Sequence, residues 1–277
     1  MRPRSVDLDI DLDLARRILT DFLRTEIRRT GYERAVVGVS GGVDSALACF
    51  LAAEALGPDH VLALRLPYRE SSADSLTDAE AVIRLSGVES KTFPITEMAE
   101  PLLATLSESE RVRKGNILAR LRMVVLYDQS AAVGGLVIGT GNKTEILLGY
   151  TTLHGDSASA LNPIGDLYKT QVRQLARHMG VPEAIVAKPP SADLWPGQTD
   201  EGELGFTYAD VDRLLYLLVD ERASPEACIE AGFEREFIEA VIGRIRRSQY
   251  KRMQPLIAKL SNRTVGYDFL YFRDWGT

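Results

Sequence analysis

The sequence predicts an α/β fold, a parallel sheet with helices on both faces, and three observations carry that expectation. Short apolar runs alternate with longer segments of helical spacing across 34–140, the pattern of strand–helix–strand units. The runs Ala35-Val36-Val37 and Gly135-Leu136-Val137-Ile138-Gly139 lack polar alternation, as strands covered on both faces should. Glycine-bearing polar turns follow them at 38–45 and 139–145, beyond the carboxyl strand ends where such sheets bind ligands.

Taken in order, residues 11–30 set Leu12, Leu14, Ile18, Leu19, Phe22, Leu23 and Ile27 among charges at helical spacing, ended near Gly31. The first strand spans about 34–39 and feeds a turn and an apolar helix from Ala46 to Ala53. His60 to Leu66 reads as the second strand, stopped by Pro67; Asp74 to Leu85 as a helix before Gly87; and 91–95 as a short strand. Helices are expected over 97–106, against Pro101, and over 117–132, before the strand 135–139. Thr170 to Met179 is a further helix with Thr170 as N-cap and Gly180 at its stop, and 210–219 and 234–247 are two more. No strong strand follows residue 183, so a single domain is expected: a core of about 15–185 with loops and helices of 186–277 appended. The charged stretch 107–116 and the Pro/Gly-rich stretch 189–201 read as long loops, either surface connections or lids.

Composition bounds the function. The 277 residues are 45% hydrophobic and 26% charged, ordinary for a soluble globular protein. A net charge of −6 argues against a general nucleic-acid or anionic-membrane surface. No apolar run reaches the ~18 residues of a membrane span, and the four aspartates among residues 7–13 oppose a secretory signal. Cys49 and Cys228 are too few and too separated for a disulfide framework or zinc site, Cys49 reading as a core residue. A cytoplasmic location is expected.

The most informative segment is Gly38-Val39-Ser40-Gly41-Gly42-Val43-Asp44-Ser45. A Ser/Gly turn between strand and helix aims backbone N–H groups at the positive end of the helix dipole, an anion site suited to phosphate. It is neither a Walker A loop, which needs a following Lys-Ser/Thr, nor the Gly-x-Gly-x-x-Gly fingerprint. Asp44, just inside the helix, would repel phosphates unless a divalent cation lay between, and Mg²⁺ commonly takes one or two carboxylates plus phosphate oxygens. The plainer reading is a tight turn capped by Ser40 or Asp44. The hexapeptide from Ser40 to Ser45 resembles the SGGxDS loop of the N-type ATP pyrophosphatases, which cleave ATP to AMP and pyrophosphate while adenylating a substrate.

A second polar loop, Thr140-Gly141-Asn142-Lys143-Thr144-Glu145, ends the strand at 135–139. Glu145 could be a second carboxylate on the cation held by Asp44, or a capping residue with Asn142 or Thr144 as cap. Lys169 stands at a helix start, where the dipole disfavours a cation; it makes sense if an anion comes to it, the alternative being a solvated lysine. His60, His154 and His178 form no histidine metal site, and nothing suggests a Ser-His-Asp arrangement around Ser45.

Over residues 15–255 the ordered motifs resemble those of the ammonia-dependent NAD synthetases. They are the loop 40–45, Leu64 to Tyr68, Gly115 to Met123, Gly139-Thr140 with Glu145, Gly155-Asp156, Lys169 to Val172, Pro190 to Leu194, and Gly197 to Glu201 with Glu203-Leu204-Gly205. The resemblance implies an adenine-nucleotide alpha-hydrolase-like fold and conversion of deamido-NAD to NAD with ATP and ammonia. It implies that Gly38, Val39, Ser40, Gly41, Gly42, Val43, Asp44 and Ser45 cradle ATP, with Thr140, Lys169 and Ser191 also contacting it. It further implies Mg²⁺ on Asp44 and Glu145, catalytic roles for Asp44 and Lys169, and deamido-NAD contacts from Arg120, Tyr250 and Lys251. A homodimer with the deamido-NAD site at its interface follows from the same resemblance, with Arg120 facing the partner and lids at 107–116 and 194–205. Two positions depart from the family's pattern for deamido-NAD recognition: Leu153 stands where a lysine is common and Ala160 where an aspartate is. They leave the ATP half of the reading untouched and admit another carboxylate acceptor, or a non-catalytic ATP-binding homologue, as alternatives. Neither cysteine sits in the context of an amidase nucleophile, so ammonia rather than glutamine is the expected nitrogen source.

Overall fold

Three consecutive residues, Ala35, Val36 and Val37, are wholly buried in β1 (Arg34–Gly38), because both faces of this strand are covered. The computed structural model describes residues 6–107, 109–191, 199–253 and 255–264. Alternate side chains of β1 serve different layers: Ala35 and Val37 enter one core, Val36 the other. β2 (Val61–Arg65), β3 (Glu89–Thr92) and β4 (Gly135–Ile138) complete a parallel sheet in the order β3-β2-β1-β4. The chain steps outward from β1 to β3, then returns to place β4 on the other side of β1. The turns leaving β1 and β4 are thus neighbours at the point where strand order reverses, the crevice in which open α/β sheets bind ligands.

One face is packed by α1 (Leu12–Arg29), α2 (Val43–Leu56) and α7 (Lys169–His178), whose Leu23, Leu47 and Leu175 are buried with Ala35 and Val37. α3 (Ala73–Ser86) adds Ala79 and Val82 to the same core. The opposite face is covered by α4 (Thr96–Leu103) and α5 (Arg111–Val133), which contribute Ala99, Leu103, Leu118 and Val125 beneath Val36, Leu62 and Leu64. α6 (Lys143–Leu148) leaves the β4 turn directly. After α7 come α8 (Glu183–Val186), α9 (Asp200–Leu204), α10 (Tyr208–Leu215) with a π turn over Tyr216–Asp220, α11 (Pro225–Glu230) and α12 (Arg235–Arg247). These later helices form their own apolar cluster around Tyr208, Val211, Leu214, Leu215, Ile238 and Val241, joined by Leu148 and Tyr168 from the sheet region. Both cysteines are buried and free. Among the described residues no helix is long and apolar enough to cross a membrane.

The structure moves several expected boundaries. β3 lies at 89–92 rather than 91–95, because an edge strand needs little apolar surface and the run Phe93-Pro94-Ile95 belongs to the turn beyond it. There Phe93 and Ile95 still donate to the carbonyls of Arg65 and Pro67, both at 2.9 Å. α5 begins at Arg111, so most of the expected 107–116 loop is helix; Glu110 stops Ser107 by accepting its N–H at 2.9 Å, and Lys114 N–H returns to the Glu110 carbonyl. Of the expected lid at 194–205, residues 194–198 lie outside the described residues, and α9 packs Asp200 and Leu204 into the interior. The cap of α7 is Tyr168, not Thr170, its N–H held by Gln171 Oε1 at 2.9 Å, which makes Lys169 the first helical residue.

Candidate active site

Gly41 explains the shape of the first turn. Its φ is +84°, and a Cβ there would stand 2.3 Å from the Ser75 carbonyl oxygen of α3, so the loop folds against α3 in a conformation open to glycine. Ser40 and Ser45 close it: Ser40 N–H donates to Ser45 Oγ at 3.1 Å, Ser45 Oγ donates to the Gly42 carbonyl at 3.0 Å, and Gly42 N–H reaches Ser40 Oγ at 3.3 Å. Gly42, rather than Ser40 or Asp44, is the N-cap of α2, and no side chain caps the helix. The first turn of α2 therefore presents backbone N–H groups that have no intrahelical partner, the arrangement that binds phosphate.

The second turn is built to meet the first. Asn142 caps α6 by accepting Glu145 N–H at 2.9 Å, and Glu145 Oε2 accepts Asn142 N–H at 3.3 Å. The capping reading of Glu145 is thus correct, and it leaves Oε1 for a second partner. Asn142 also donates Nδ2 to Asp44 Oδ1 at 2.8 Å, tying the two turns together. Lys169 Nζ donates to Asp44 Oδ2 at 2.5 Å and to Glu145 Oε1 at 3.1 Å. The anion that justifies a lysine at a helix start is, in this structure, a pair of carboxylates. The lysine side chain is 3% exposed, against 16% for Asp44 and 15% for Glu145. Burial works against its ammonium, but Asp44 and then Glu145 outweigh it and the net shift is upward. Burial pushes the Glu145 carboxyl up to about 7, with Lys169 pulling it down and Asp44 adding to the rise.

Beside this cluster lies buried Asp200, which accepts from the hydroxyls of Tyr150 and Tyr208, each at 3.2 Å. Tyr150 also reaches Glu203 at 3.0 Å. Burial raises Asp200 above the usual carboxylate range. Asn142 carries no sequence signal beyond capping, Tyr150 carries none, and Asp200 is marked only by its place in the acid-rich segment 200–203 after a polar loop.

The remaining expected residues stand apart. Thr140 follows β4 in the same turn as Asn142. Ser191 is exposed at the edge of the described residues. Arg120, exposed on α5, donates Nε to the Leu153 carbonyl at 3.2 Å, so it lies against one of the two departing positions. Ala160, the other, donates N–H to the Val137 carbonyl at 2.9 Å, next to Leu161, which makes a single parallel bridge with Ile138 of β4. Lys251 Nζ is held by the carbonyls of Gly149 at 2.7 Å and Thr151 at 2.6 Å, whereas Tyr250 is exposed.

Asp44 and Glu145 are of the ligand type a divalent cation takes, and in this structure Lys169 Nζ stands between them. Asp44 and Glu145 converge from two helices on one cationic centre, and both offer hard oxygen ligands. Among the described residues no group of three or more His, Cys, Asp or Glu could hold a metal. A two-carboxylate site completed by phosphate oxygens suits Mg²⁺ rather than an all-protein cage.

Comparison with known proteins identifies the family. The NAD synthase family model matches residues 15–255. The chain is 54% identical over 269 residues to the NH3-dependent NAD+ synthetase of Trichlorobacter lovleyi, covering 97% of this chain and 98% of that protein. It is 52% identical over 271 residues to the enzyme of that name from Chlorobium phaeobacteroides, covering 98% of each. Among solved structures, NMN synthetase from Francisella tularensis superposes with a TM-score of 0.80 at 33% identity, covering 90% of this chain and 99% of that one. The NH3-dependent NAD synthetase of Campylobacter jejuni, in complex with the nitrate ion, gives 0.78 at 30% identity, covering 91% and 100%. The cradle on β1, the carboxylate pair and its lysine thus occur in a chain that belongs to the NAD synthase family.

Proposed function

We infer that this chain amidates deamido-NAD to NAD, using ATP and ammonia and releasing AMP and pyrophosphate. The observation that carries the inference is the convergence of Asp44, Glu145 and Lys169 at the mouth of the uncapped α2 turn, in a chain of this family. The backbone N–H groups of 38–45 bind the phosphates of ATP, with Thr140 and Ser191 as further contacts. Asp44 and Glu145 hold Mg²⁺, which when bound shields phosphate charge. Lys169 neutralises charge on the departing pyrophosphate. The acceptor's carboxylate oxygen bonds to the α-phosphorus as the bond to the β-phosphate breaks, giving an acyl-adenylate. Ammonia then bonds to the acyl carbon, AMP leaves, and the nitrogen sheds a proton. Arg120, Tyr250 and Lys251 hold the acceptor. The protein's part is orientation and charge compensation, with little covalent chemistry of its own.

The same reading makes the chain one domain acting as a cytoplasmic homodimer. Val124 and Tyr127 are exposed apolar residues on α5, the helix of Arg120. Light scattering checks this: a dimer is expected, and Val124→Glu should give a monomer.

A second reading changes the acceptor alone. The Francisella structure is named for NMN, and Leu153 and Ala160 depart where the family pattern recognises deamido-NAD. The deciding experiment supplies ATP, Mg²⁺ and ammonia with deamido-NAD, with nicotinate mononucleotide, or with neither, and follows AMP and the amide product. Turnover with deamido-NAD supports the first reading. Turnover confined to the mononucleotide or another acid overturns it while leaving the adenylating chemistry intact, and ATP binding without pyrophosphate release would mark a non-catalytic homologue.

A further inference from the structure

Asp212, on α10, is wholly buried and far in sequence from Asp44, Glu145 and Lys169. Its Oδ1 accepts the Thr144 hydroxyl at 2.5 Å, and its Oδ2 accepts Thr170 N–H at 2.8 Å. The same Thr144 hydroxyl oxygen accepts Lys169 N–H at 3.0 Å. One carboxylate therefore joins the residue before Glu145, on α6, to the residue after Lys169, on α7. Those two helix starts carry the carboxylate and the ammonium that meet in the site; the backbone ties them through Lys143 N–H on the Leu167 carbonyl at 2.9 Å, and Asp212 adds the side-chain links beside Glu145 and Lys169 themselves.

The π turn strengthens this grip. Asp220, eight residues after Asp212, accepts Lys143 Nζ at 2.8 Å and also the Tyr168 hydroxyl. In a regular helix eight residues leave two side chains about 80° apart. A π turn takes up about one extra residue, so eight behave as seven, close to two whole turns. Asp212 and Asp220 are thereby brought toward one face, and together they bind Lys143 and Thr144 of α6 and Tyr168 and Thr170 of α7.

We propose that Asp212 is a positioning residue for the reaction: acting through Thr144 and the Thr170 N–H, it sets Lys169 against Asp44 and Glu145. The inference rests on the functional reading above for its kinetic consequence, but not for its structural one. A buried carboxylate accepting two donors is costly to replace by a group that must present a donor to one of them. In Asp212→Asn one donor loses its acceptor, so the starts of α6 and α7 are held less firmly, by the Lys143–Leu167 and Thr144–Lys169 bonds and by Asp220, while the phosphate turn at 38–45, which Asp212 does not touch, keeps its form.

The test measures two things on the full-length protein. The first is the rate at which a small amine-directed reagent labels Lys169, read by mass spectrometry against exposed Lys91 as internal reference. The second is steady-state turnover. Wild-type protein should protect Lys169; Asp212→Asn and Thr144→Val should raise its relative labelling at least tenfold, and Thr144→Ser, which keeps the hydroxyl, should restore protection. The turnover number should fall at least tenfold in the first two variants, with the Michaelis constant for ATP within threefold, and recover in Thr144→Ser. Unchanged relative labelling of Lys169 in both Asp212→Asn and Thr144→Val overturns the proposal. So does labelling that rises equally at every lysine, the sign of general unfolding. Should Asp212→Asn not fold, the Thr144→Val and Thr144→Ser pair decides. If wild-type protein fails to amidate deamido-NAD, the functional reading falls, and the labelling result still decides this one.

Discussion

Asn142 and Asp44, 98 positions apart in the chain, are joined by a hydrogen bond of 2.8 Å from the Asn142 amide to Asp44 Oδ1. Asn142 simultaneously caps α6 through its other side-chain atom, so one residue serves local helix structure and the joining of two turns. Asn142→Ala removes both. Loss of the cap alone should cost about 1 kcal/mol, a drop of about 2–4 °C in melting temperature. Turnover should fall further than that change explains, by about tenfold, because Asp44 loses its tether. Calorimetric melting and pyrophosphate release measured on the same samples separate the two effects.

Asp44→Asn should abolish turnover, with at least about a hundredfold loss, in the range seen when one preorganised electrostatic partner is removed. The protein should still fold. Glu145 remains beside Lys169, so the loss of stability stays below the ~3–5 kcal/mol of a fully orphaned buried ion. Near-normal pyrophosphate release would remove Asp44 from the proposed metal site.

The two glycines of the first turn should respond differently. Gly41→Ala forces a Cβ to within 2.3 Å of the Ser75 carbonyl at a positive φ, so it should lower stability markedly and abolish ATP binding. At Gly42 the backbone is extended and the nearest atom to a new Cβ is Ser40 Oγ at 3.4 Å. Gly42→Ala should fold with an ordinary melting temperature. Thermal melts followed by calorimetric titration with ATP test both.

Stability should also depend on pH through Glu145. Burial raises its carboxyl to about 7 from an ordinary value near 4.5. The folded protein therefore holds a proton that the unfolded chain releases between these values. The contribution is complete below the ordinary value and is lost as pH rises through about 7. Measured without ATP or metal, wild-type protein should lose stability relative to Glu145→Gln between pH 5 and pH 8. A constant difference across that interval would contradict the raised carboxyl.

The legible parts of this chain were the local ones. The strand, turn and helix from 34 to 56 announce themselves because buried parallel strands, phosphate turns and apolar helices each have short-range signatures. β3 has no such signature, because its residues, Glu89 to Thr92, are mostly exposed at the sheet edge and carry no apolar pattern. Asp44, Glu145 and Lys169 were legible as residues with unmet electrostatic needs, but not as partners of one another, since a lysine at a helix start signals an anion without saying which. Asp212 and Asp220 left no signal at all. On an amphipathic helix an aspartate reads as solvent-facing, and the π turn that aligns this pair depends on packing rather than on any local preference.

The strand order has a consequence for how the protein is made. Translation delivers the phosphate turn early, its neighbouring strand and Glu145 about a hundred residues later, then Lys169, and Asp212 later still. A chain arrested after β4 has the turn at 38–45 but none of Glu145, Lys169 and Asp212. On the functional reading proposed above, such a fragment lacks the groups that compensate charge on the departing pyrophosphate, and adenylating chemistry is withheld until the helices after the sheet have been synthesised and docked.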